Sequence, residues 1–283
     1  MPLSDPSNKQ PVTDVNYSQR LSITVGVVLV SLVASLLVDL PTRVLSFDPL
    51  GSPLSIQISG QYLVIALVVG LTCTGTDALV RTHPLAQRKQ LNNTFIMWTV
   101  SALTVLLAAL ALSYAPNRLV WVAGVALTGL LLSLTMTAEY HTIDPQDAKF
   151  GSSQVFLSVM IYALALALFV IVYGAKSRSL LSATTLFVAS GLLTLERLRI
   201  TGREPLITGI YALITGLIIG ESVWALNYSR VPGLIGGLLL LLTFHVMTGL
   251  AQQHLMGRLK RRVIIEYGLV TLVGLVLLVY YRI

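Results

Sequence analysis

The densest group of residues able to carry out chemistry lies near the middle of the chain. Glu139, Tyr140 and His141 are consecutive, and Asp144 and Asp147 follow closely. A carboxylate, a phenol and an imidazole together provide the groups needed for acid–base catalysis or for a loose metal site. The spacing matches no metal-ligand motif, and the Ile-Asp-Pro-Gln segment is typical of a turn. Glu139, His141 and Asp144 are therefore candidate catalytic residues, with a plain surface loop as the alternative.

Two further ionisable residues, Glu221 and His245, lie well inside long apolar stretches. An ionisable side chain within a membrane costs free energy, so both are candidates for transport or proton coupling. The alternative for Glu221 is hydrogen bonding at the membrane interface, beside Trp224. His245 has the chemistry of a haem or metal ligand, but no second His stands at its depth. A packed, hydrogen-bonded His is the alternative there, and we expect no cofactor and no bound metal.

Membrane-spanning helices must position these residues, because nine apolar stretches make up most of the 283-residue chain. A helix of about 20 apolar residues crosses the hydrocarbon core of a bilayer. The stretches are continuous, whereas strands of a membrane β-barrel alternate apolar and polar residues. The sequence predicts an all-α, polytopic integral membrane bundle of about nine transmembrane helices, built from helical hairpins. The spans are Leu21–Leu40, Gly60–Val80, Thr94–Tyr114, Leu119–Ala138, Ser153–Tyr173, Leu180–Leu195, Leu206–Asn227, Gly233–Gln253 and Val263–Tyr281. The sixth is the shortest, and without it there are eight.

The composition excludes an ordinary soluble protein. Hydrophobic residues make up 55% of the chain and charged residues 11%, whereas soluble domains carry about 25% charged residues. A polar N-terminal tail, residues 1–20, precedes a single transmembrane domain, residues 21–283. One loop contains Leu54–Ser59, whose alternating pattern predicts a short strand. Cys73 is the only cysteine, so no intramolecular disulfide is expected.

The distribution of basic residues predicts the orientation in the membrane. Of the 19 Lys and Arg residues, 13 lie on the side of the N-terminus. Because Lys and Arg accumulate in cytoplasmic loops, we expect the N-terminus in the cytoplasm and, with nine spans, an external C-terminus. The net charge of +7 then reflects loops that contact anionic lipid head groups, and not nucleic-acid binding. A cytoplasmic (inner) membrane protein is the expected localisation.

Small residues and local charge pairs predict how the helices pack. Ala212, Gly216 and Gly220 recur at four-residue spacing, as do Gly233 and Gly237, and such spacing lets helix backbones approach closely. Acidic residues at three span ends have an arginine three or four residues away, and local ion pairs are the expected result. These pairs are Asp77 with Arg81, Glu196 with Arg199, and Glu266 with Arg262.

Three short polar segments lie at the predicted cytoplasmic ends of the second, fourth and sixth spans. They read GTDALVRTHP, AEYHTIDPQD and LERLRITGREP. Together they resemble an uncharacterised family of multi-pass membrane proteins from Chloroflexi-type bacteria, classed as a domain of unknown function. The resemblance covers nearly the whole chain. It implies a bacterial cytoplasmic membrane protein, and it transfers no catalytic residues.

Three functions from different classes fit these features. The favoured one is a non-catalytic membrane scaffold, assembly partner or accessory subunit, because the chain has neither a soluble domain nor a catalytic motif. Its partners would be the lipid bilayer and another membrane protein or a second copy of the chain. The alternative is a transporter of small solutes or lipids that uses Glu221 and His245. The third is a membrane enzyme that acts on a lipid-linked substrate at the cytoplasmic face.

Overall fold

A computed structural model describes residues 11–37, 43–47, 54–58, 60–89, 94–175, 179–229 and 231–280. Within these ranges the chain forms ten α-helices, a short 3-10 helix (Thr94–Ile96) and a two-stranded hairpin. The elements are α1 (Pro11–Leu37), β1 (Arg43–Phe47), β2 (Leu54–Ile58), α2 (Gly60–Val80), α3 (Pro84–Lys89), α4 (Thr99–Ser113), α5 (Arg118–His141), α6 (Phe150–Gly174), α7 (Ser179–Arg199), α8 (Pro205–Asn227), α9 (Gly233–Leu255) and α10 (Arg261–Tyr280).

The helices follow the predicted spans in order. Within the described ranges, eight helices are long and apolar enough to cross a membrane, and α7 at the sixth predicted span is one of them. The 20-residue α10 occupies the ninth predicted span. The predicted all-α, polytopic bundle is therefore confirmed. The first helix starts at Pro11, well before the predicted span. Residues 1–10 and the predicted span ends at Leu40 and Tyr281 lie outside the described residues.

Hydroxyl side chains inside the spans bond within their own helix. Thr72 donates to the Val68 carbonyl at 2.9 Å, and Thr104 donates to the Val100 carbonyl at 2.8 Å. Hydrocarbon offers no hydrogen-bond partner, so a polar side chain in a spanning helix needs one from the protein. Bonding to the carbonyl four residues earlier supplies it without breaking the helix. Thr and Ser are therefore tolerated throughout these spans.

The chain divides into two compact units, residues 1–157 and 158–283, with the boundary inside α6. In the first unit, α1, α2, α4 and α5 pack around a shared apolar core. Val28, Val105 and Leu132 in that core are fully buried. Helix α4 is the interior helix of this unit. In the apolar segment Thr94–Ser113, which contains α4, 67% of the residues in an 18-residue window are buried, compared with 17% in the segment Tyr17–Ala34 of α1. The single-domain organisation expected from the sequence stays a prediction.

The loop between α1 and α2 contains an antiparallel hairpin. β1 pairs with β2 so that Val44 lies opposite Gln57 and Leu45 lies opposite Ile56. Apolar and polar residues alternate along β2, as expected for a strand with two different faces. The predicted strand is confirmed over Leu54–Ile58, and Ser59 lies outside the described residues.

In the second unit, glycines bring α7 and α8 into close contact. A Cβ atom on Gly216 would lie 2.7 Å from the carbonyl oxygen of Phe187 on α7. A Cβ atom on Gly220 would lie 3.3 Å from the carbonyl oxygen of Ala183, one turn away on α7. Ala212, one turn before Gly216, is also buried. The face of α8 formed by these small residues therefore packs directly against the backbone of α7.

The glycines of α9 pack in the same way against the second half of α6. A Cβ atom on Gly233 would lie 3.1 Å from the Cα atom of Gly174, and one on Gly237 would lie 3.1 Å from the Cα atom of Val170. Between them, Gly236 faces the ring of Tyr173. The Tyr173 hydroxyl donates to the carbonyls of Leu226 and Val231, each at 3.2 Å. This tyrosine thereby links α6 to the α8–α9 connection.

We predict that Gly216→Ala destabilises the protein, because the new methyl group would meet the Phe187 backbone, which cannot move aside as a side chain does. Overpacking of this kind costs about 1–3 kcal/mol. Gly209→Ala on the same helix is the matched control, since a Cβ atom there has nothing within 4 Å. Thermal unfolding in mild detergent should show a lower midpoint temperature for Gly216→Ala and an unchanged one for Gly209→Ala. Equal behaviour of the two variants would show that α7 and α8 do not pack at Gly216.

Candidate functional site

Glu139 connects two helices of the first unit. It lies in the last turn of α5, and its side chain is fully buried. The Ser101 hydroxyl on α4 lies 3.2 and 3.3 Å from the two carboxylate oxygens and donates to them. A buried carboxylate is stable only when other groups hydrogen-bond to it or carry opposite charge. Glu139 therefore acts here as a contact between α4 and α5.

His141 has a different set of neighbours from Glu139. Two residues along a helix rotate the side chain by about 200°, so the two side chains face opposite sides of α5. The Nδ1 atom of His141 lies 2.7 Å from an Asp147 carboxylate oxygen. Asp144 instead accepts a hydrogen bond from the Gln146 amide at 2.9 Å, as a turn former does. Glu139 thus contacts Ser101, His141 contacts Asp147, and Asp144 stabilises the turn after α5.

Asp147 is held in its ionised form by the groups around it. Burial alone would raise the pKa of Asp147, but hydrogen bonds from His141 and from the Lys149 amide outweigh that effect. The nearby histidines act in the same direction, and the pKa of Asp147 falls below its ordinary value of 3.8. The carboxylate therefore serves as an acceptor that fixes the loop after α5 at neutral pH.

Aromatic rings tie this same end of α5 to α1 and to the segment between α2 and α3. The Tyr140 ring lies 4.4 Å from the Tyr17 ring and 4.8 Å from the His83 ring, measured between centroids. The Tyr17 hydroxyl donates to Thr137 at 3.0 Å. His83 is buried, and its Nδ1 atom accepts a hydrogen bond from the Leu85 amide at 3.2 Å. We call these residues, Tyr17, His83, Tyr140, His141 and Asp147, the aromatic–histidine cluster.

Burial lowers the pKa of His83 below its ordinary value of 6.5, because the imidazolium ion loses hydration. Asp144 and Asp147 oppose this shift, and His141 adds to it. The neutral ring also suits its role as acceptor for the Leu85 amide, since protonation at Nδ1 would remove that hydrogen bond. The packed cluster therefore favours neutral His83.

The predicted ion pairs at three helix ends are confirmed. Asp77 and Arg81 approach to 2.6 Å, Glu196 and Arg199 to 2.8 Å, and Arg262 and Glu266 to 3.0 Å. Asp77 also accepts a hydrogen bond from the Thr94 hydroxyl at 2.5 Å. The pair at Glu196 is the most buried, with its carboxylate 1% exposed. Each acid thus has a local cation, and the Oε2 atom of Glu196 is buried with no hydrogen-bond partner among the described residues.

His245 belongs to a polar group inside the second unit. Its Nδ1 atom lies 3.2 Å from the Tyr162 hydroxyl of α6, and its ring lies 5.6 Å from the Tyr267 ring of α10. The Arg197 guanidinium lies 5.8 Å over the Tyr162 ring and donates to the Ser158 hydroxyl. The Nε atom of Arg197 is buried without a partner among the described residues. His245 is thus a hydrogen-bonded residue within a four-helix contact.

Glu221 lies elsewhere in the second unit. It is exposed and lines an apolar groove of about 280 Å³ between α7 and α8, together with Thr184 and Trp224. The lining of this groove does not include His245. The two candidate transport residues therefore have different neighbours, with Glu221 in the groove between α7 and α8 and His245 against Tyr162 and Tyr267.

Several residues in these contacts were not selected from the sequence. Tyr17, Ser101 and Tyr162 belong to no motif, and His83 was noted only as part of the segment GTDALVRTHP. Their roles depend on which helices become neighbours. Arg197 was counted only as a charge that sets orientation. The structure places Arg197 one helical turn after the fully buried Leu193, so the two residues share an inward face of α7. Within the described ranges, no group of three His, Cys, Asp or Glu residues is arranged to hold a metal ion.

Comparison with known families matches a model described as "Protein of unknown function (DUF5656)" to residues 40–281. The chain belongs to this family. No curated protein and no solved structure matched the chain. The DUF5656 match includes α2 to α10 and excludes α1, so Tyr17 contacts the family domain from outside the matched segment.

We predict that the stability of this DUF5656 protein falls as the pH drops below 6.5, the ordinary pKa of His83. The pKa of His83 is lower in the folded protein than in the unfolded chain. Between these two pKa values the unfolded chain binds more protons, so a falling pH shifts the equilibrium toward unfolding. Asp147 adds a further loss below its own ordinary pKa of 3.8. Thermal unfolding in mild detergent across this pH range measures both effects.

The variant His83→Asn isolates the histidine contribution, because Asn keeps an acceptor for the Leu85 amide and does not titrate. Its stability should depend less steeply on pH than that of the unmodified protein. His254→Asn is the matched control at an exposed histidine. If His83→Asn and His254→Asn change the pH dependence equally, the buried His83 ring is not its source.

Proposed function

We propose that this protein is a non-catalytic integral membrane protein that acts as a scaffold or accessory subunit. The observation that carries the proposal is the position of Glu139. This residue, the best sequence candidate for an active-site acid, contacts Ser101 on the neighbouring helix and faces away from His141. The most reactive-looking segment thus supports helix packing. An enzyme that used Glu139, His141 and Asp144 together would need their side chains to face one another.

A transporter of small solutes or lipids remains the second candidate, supported by the polar group around His245. Tyr162, His245 and Thr248 place three hydrogen-bonding groups in contact inside spanning helices. Buried polar residues of this kind often serve ion or proton pathways. The exposed position of Glu221 in an apolar groove gives this candidate less support, because a transporter that used both Glu221 and His245 would need them on one pathway.

The proposed setting is the cytoplasmic membrane of a bacterium. The excess of Lys and Arg on the N-terminal side supports an N-terminus in the cytoplasm and an external C-terminus. The same basic loops are suited to contact anionic lipid head groups. The proposed protein partner is another membrane protein or a second copy of the chain, because accessory subunits act through such contacts.

The scaffold proposal predicts a stable assembly that survives loss of the candidate chemical groups. Extraction of the native membrane into polymer-bounded lipid discs should yield the 30.6 kDa chain in a stoichiometric complex with a second membrane protein or a second copy. Variants Asp144→Asn and Glu221→Gln should retain that complex, because Asp144 lies in the loop after α5 and Glu221 lies in an exposed groove.

Reconstituted vesicles provide the opposing test. Purified protein should not accelerate the collapse of an imposed pH gradient beyond that of empty vesicles. Two results together would contradict the scaffold proposal and support the transporter. The chain would be isolated without a partner, and it would accelerate gradient collapse in a way that Glu221→Gln or His245→Gln abolishes. The variant Arg118→Gln, at an exposed position at the start of α5, serves as the control substitution.

A further inference from the structure

An apolar groove between α8 and α9 ends beside a strongly basic turn. The groove has a volume of about 240 Å³ and lies on helices that span the membrane. Its lining includes Tyr211, Ile214, Met247, Leu250, His254 and Leu259. Four of these side chains are apolar, and Tyr211 and His254 pair with ring centroids 5.9 Å apart. Thr215 also lines the groove, and its hydroxyl donates to the Tyr211 carbonyl at 2.9 Å. The groove is therefore apolar along most of its lining and polar at one end.

The basic turn lies at that polar end. Helix α9 stops at Leu255, and Gly257 adopts a φ of 69°, a left-handed conformation that favours glycine and redirects the chain. The segment that follows contains Arg258, Lys260, Arg261 and Arg262, all exposed. Leu259, between the first two cations, lines the groove. Arg258 and Lys260 are therefore held at its rim.

Most of this positive charge has no internal counter-charge. Arg262 pairs with Glu266, but Arg258, Lys260 and Arg261 have no ion pair with a carboxylate in the described part of the chain. Arg203 adds a further cation nearby, fixed by a hydrogen bond from its Nε atom to the Leu255 carbonyl at 2.8 Å. An anion that reached this rim would meet several cations at once.

We propose that this groove binds one anionic phospholipid. An acyl chain would lie along the apolar lining between α8 and α9, and the phosphate would lie at Arg258, Lys260 and His254. A phospholipid joins an apolar acyl chain to an anionic phosphate. The groove on the spanning helices suits the acyl chain, and the basic turn that follows α9 suits the phosphate. Basic pockets beside membrane helices are suited to acidic head groups in this way. The proposal narrows the general contact of basic loops with anionic lipid to one site, and it holds whether or not the protein is a scaffold.

Native mass spectrometry of the full chain, purified in mild detergent and titrated with phosphatidylglycerol or phosphatidylcholine, tests the site. One phosphatidylglycerol per chain should be retained in preference to phosphatidylcholine. The double variant Arg258→Gln/Lys260→Gln should weaken the retention of phosphatidylglycerol by about thirty-fold, because each cation near a membrane surface contributes about 1 kcal/mol. Both side chains are exposed, so the variant should fold as the unmodified protein does. Equal retention of the two lipids would overturn the proposal.

A second double variant separates the specific site from general surface charge. Arg20→Gln/Lys149→Gln removes the same charge from two exposed residues that the basic-residue count assigns to the same side of the membrane. It should leave phosphatidylglycerol retention unchanged. If Arg20→Gln/Lys149→Gln weakens retention as much as Arg258→Gln/Lys260→Gln does, general surface charge explains the binding and the proposed site is wrong.

A third comparison tests the acyl-chain half of the site. Ile214→Trp places a large ring in the groove, whereas Ile210→Trp lies one turn away on α8, outside the lining, at a similar exposure of 51% compared with 41%. Only Ile214→Trp should weaken lipid retention. Glycerol phosphate, which is the head group alone, should bind far more weakly than phosphatidylglycerol. Equal binding of the two would show that the groove takes no acyl chain and would overturn the proposal.

Discussion

Polar groups buried in a membrane protein must find their partners within the protein, and the contacts of this chain follow from that constraint. Hydrocarbon offers no hydrogen bonds, so an unpaired buried polar group costs several kcal/mol. The hydroxyls of Thr72 and Thr104 meet this demand within their own helices. Ser101 and Glu139 meet it between helices. Glu139, which looks able to carry out chemistry, thereby connects α4 with α5.

The two units satisfy the constraint with different residues. In the first unit, the aromatic–histidine cluster joins α1, the segment after α2 and the end of α5 through stacked rings and short hydrogen bonds. In the second unit, glycines let backbones approach, and a few polar side chains such as Tyr162 and His245 bond across the helix contacts. Close packing supplies much of the attraction between helices in lipid, where the hydrophobic effect no longer drives them together.

The helices were predictable from the sequence because hydropathy and length decide whether a segment can span a bilayer. The short strand and the helix-end ion pairs were predictable too, since each depends on residues close together in the chain. The direction in which Glu139 points was not, because it depends on which helix packs against that face of α5. The same reason applies to Tyr162, whose partners His245 and Thr248 are far away in sequence. Membership of a family of unknown function adds no residue roles to this picture.

We propose that Glu139 serves to stabilise the contact between α4 and α5 and has no reactive role. A double-mutant cycle with Ser101→Ala and Glu139→Leu tests it, read as the free energy of unfolding in mild detergent. We expect a favourable coupling of about 0.6 kcal/mol, with about 1.7 as an upper value for hydrogen bonds between membrane helices. Ser113→Ala, at the other end of α4, should show no coupling with Glu139→Leu. Zero coupling between Ser101 and Glu139 would contradict the claim and return Glu139 to the list of candidate reactive groups.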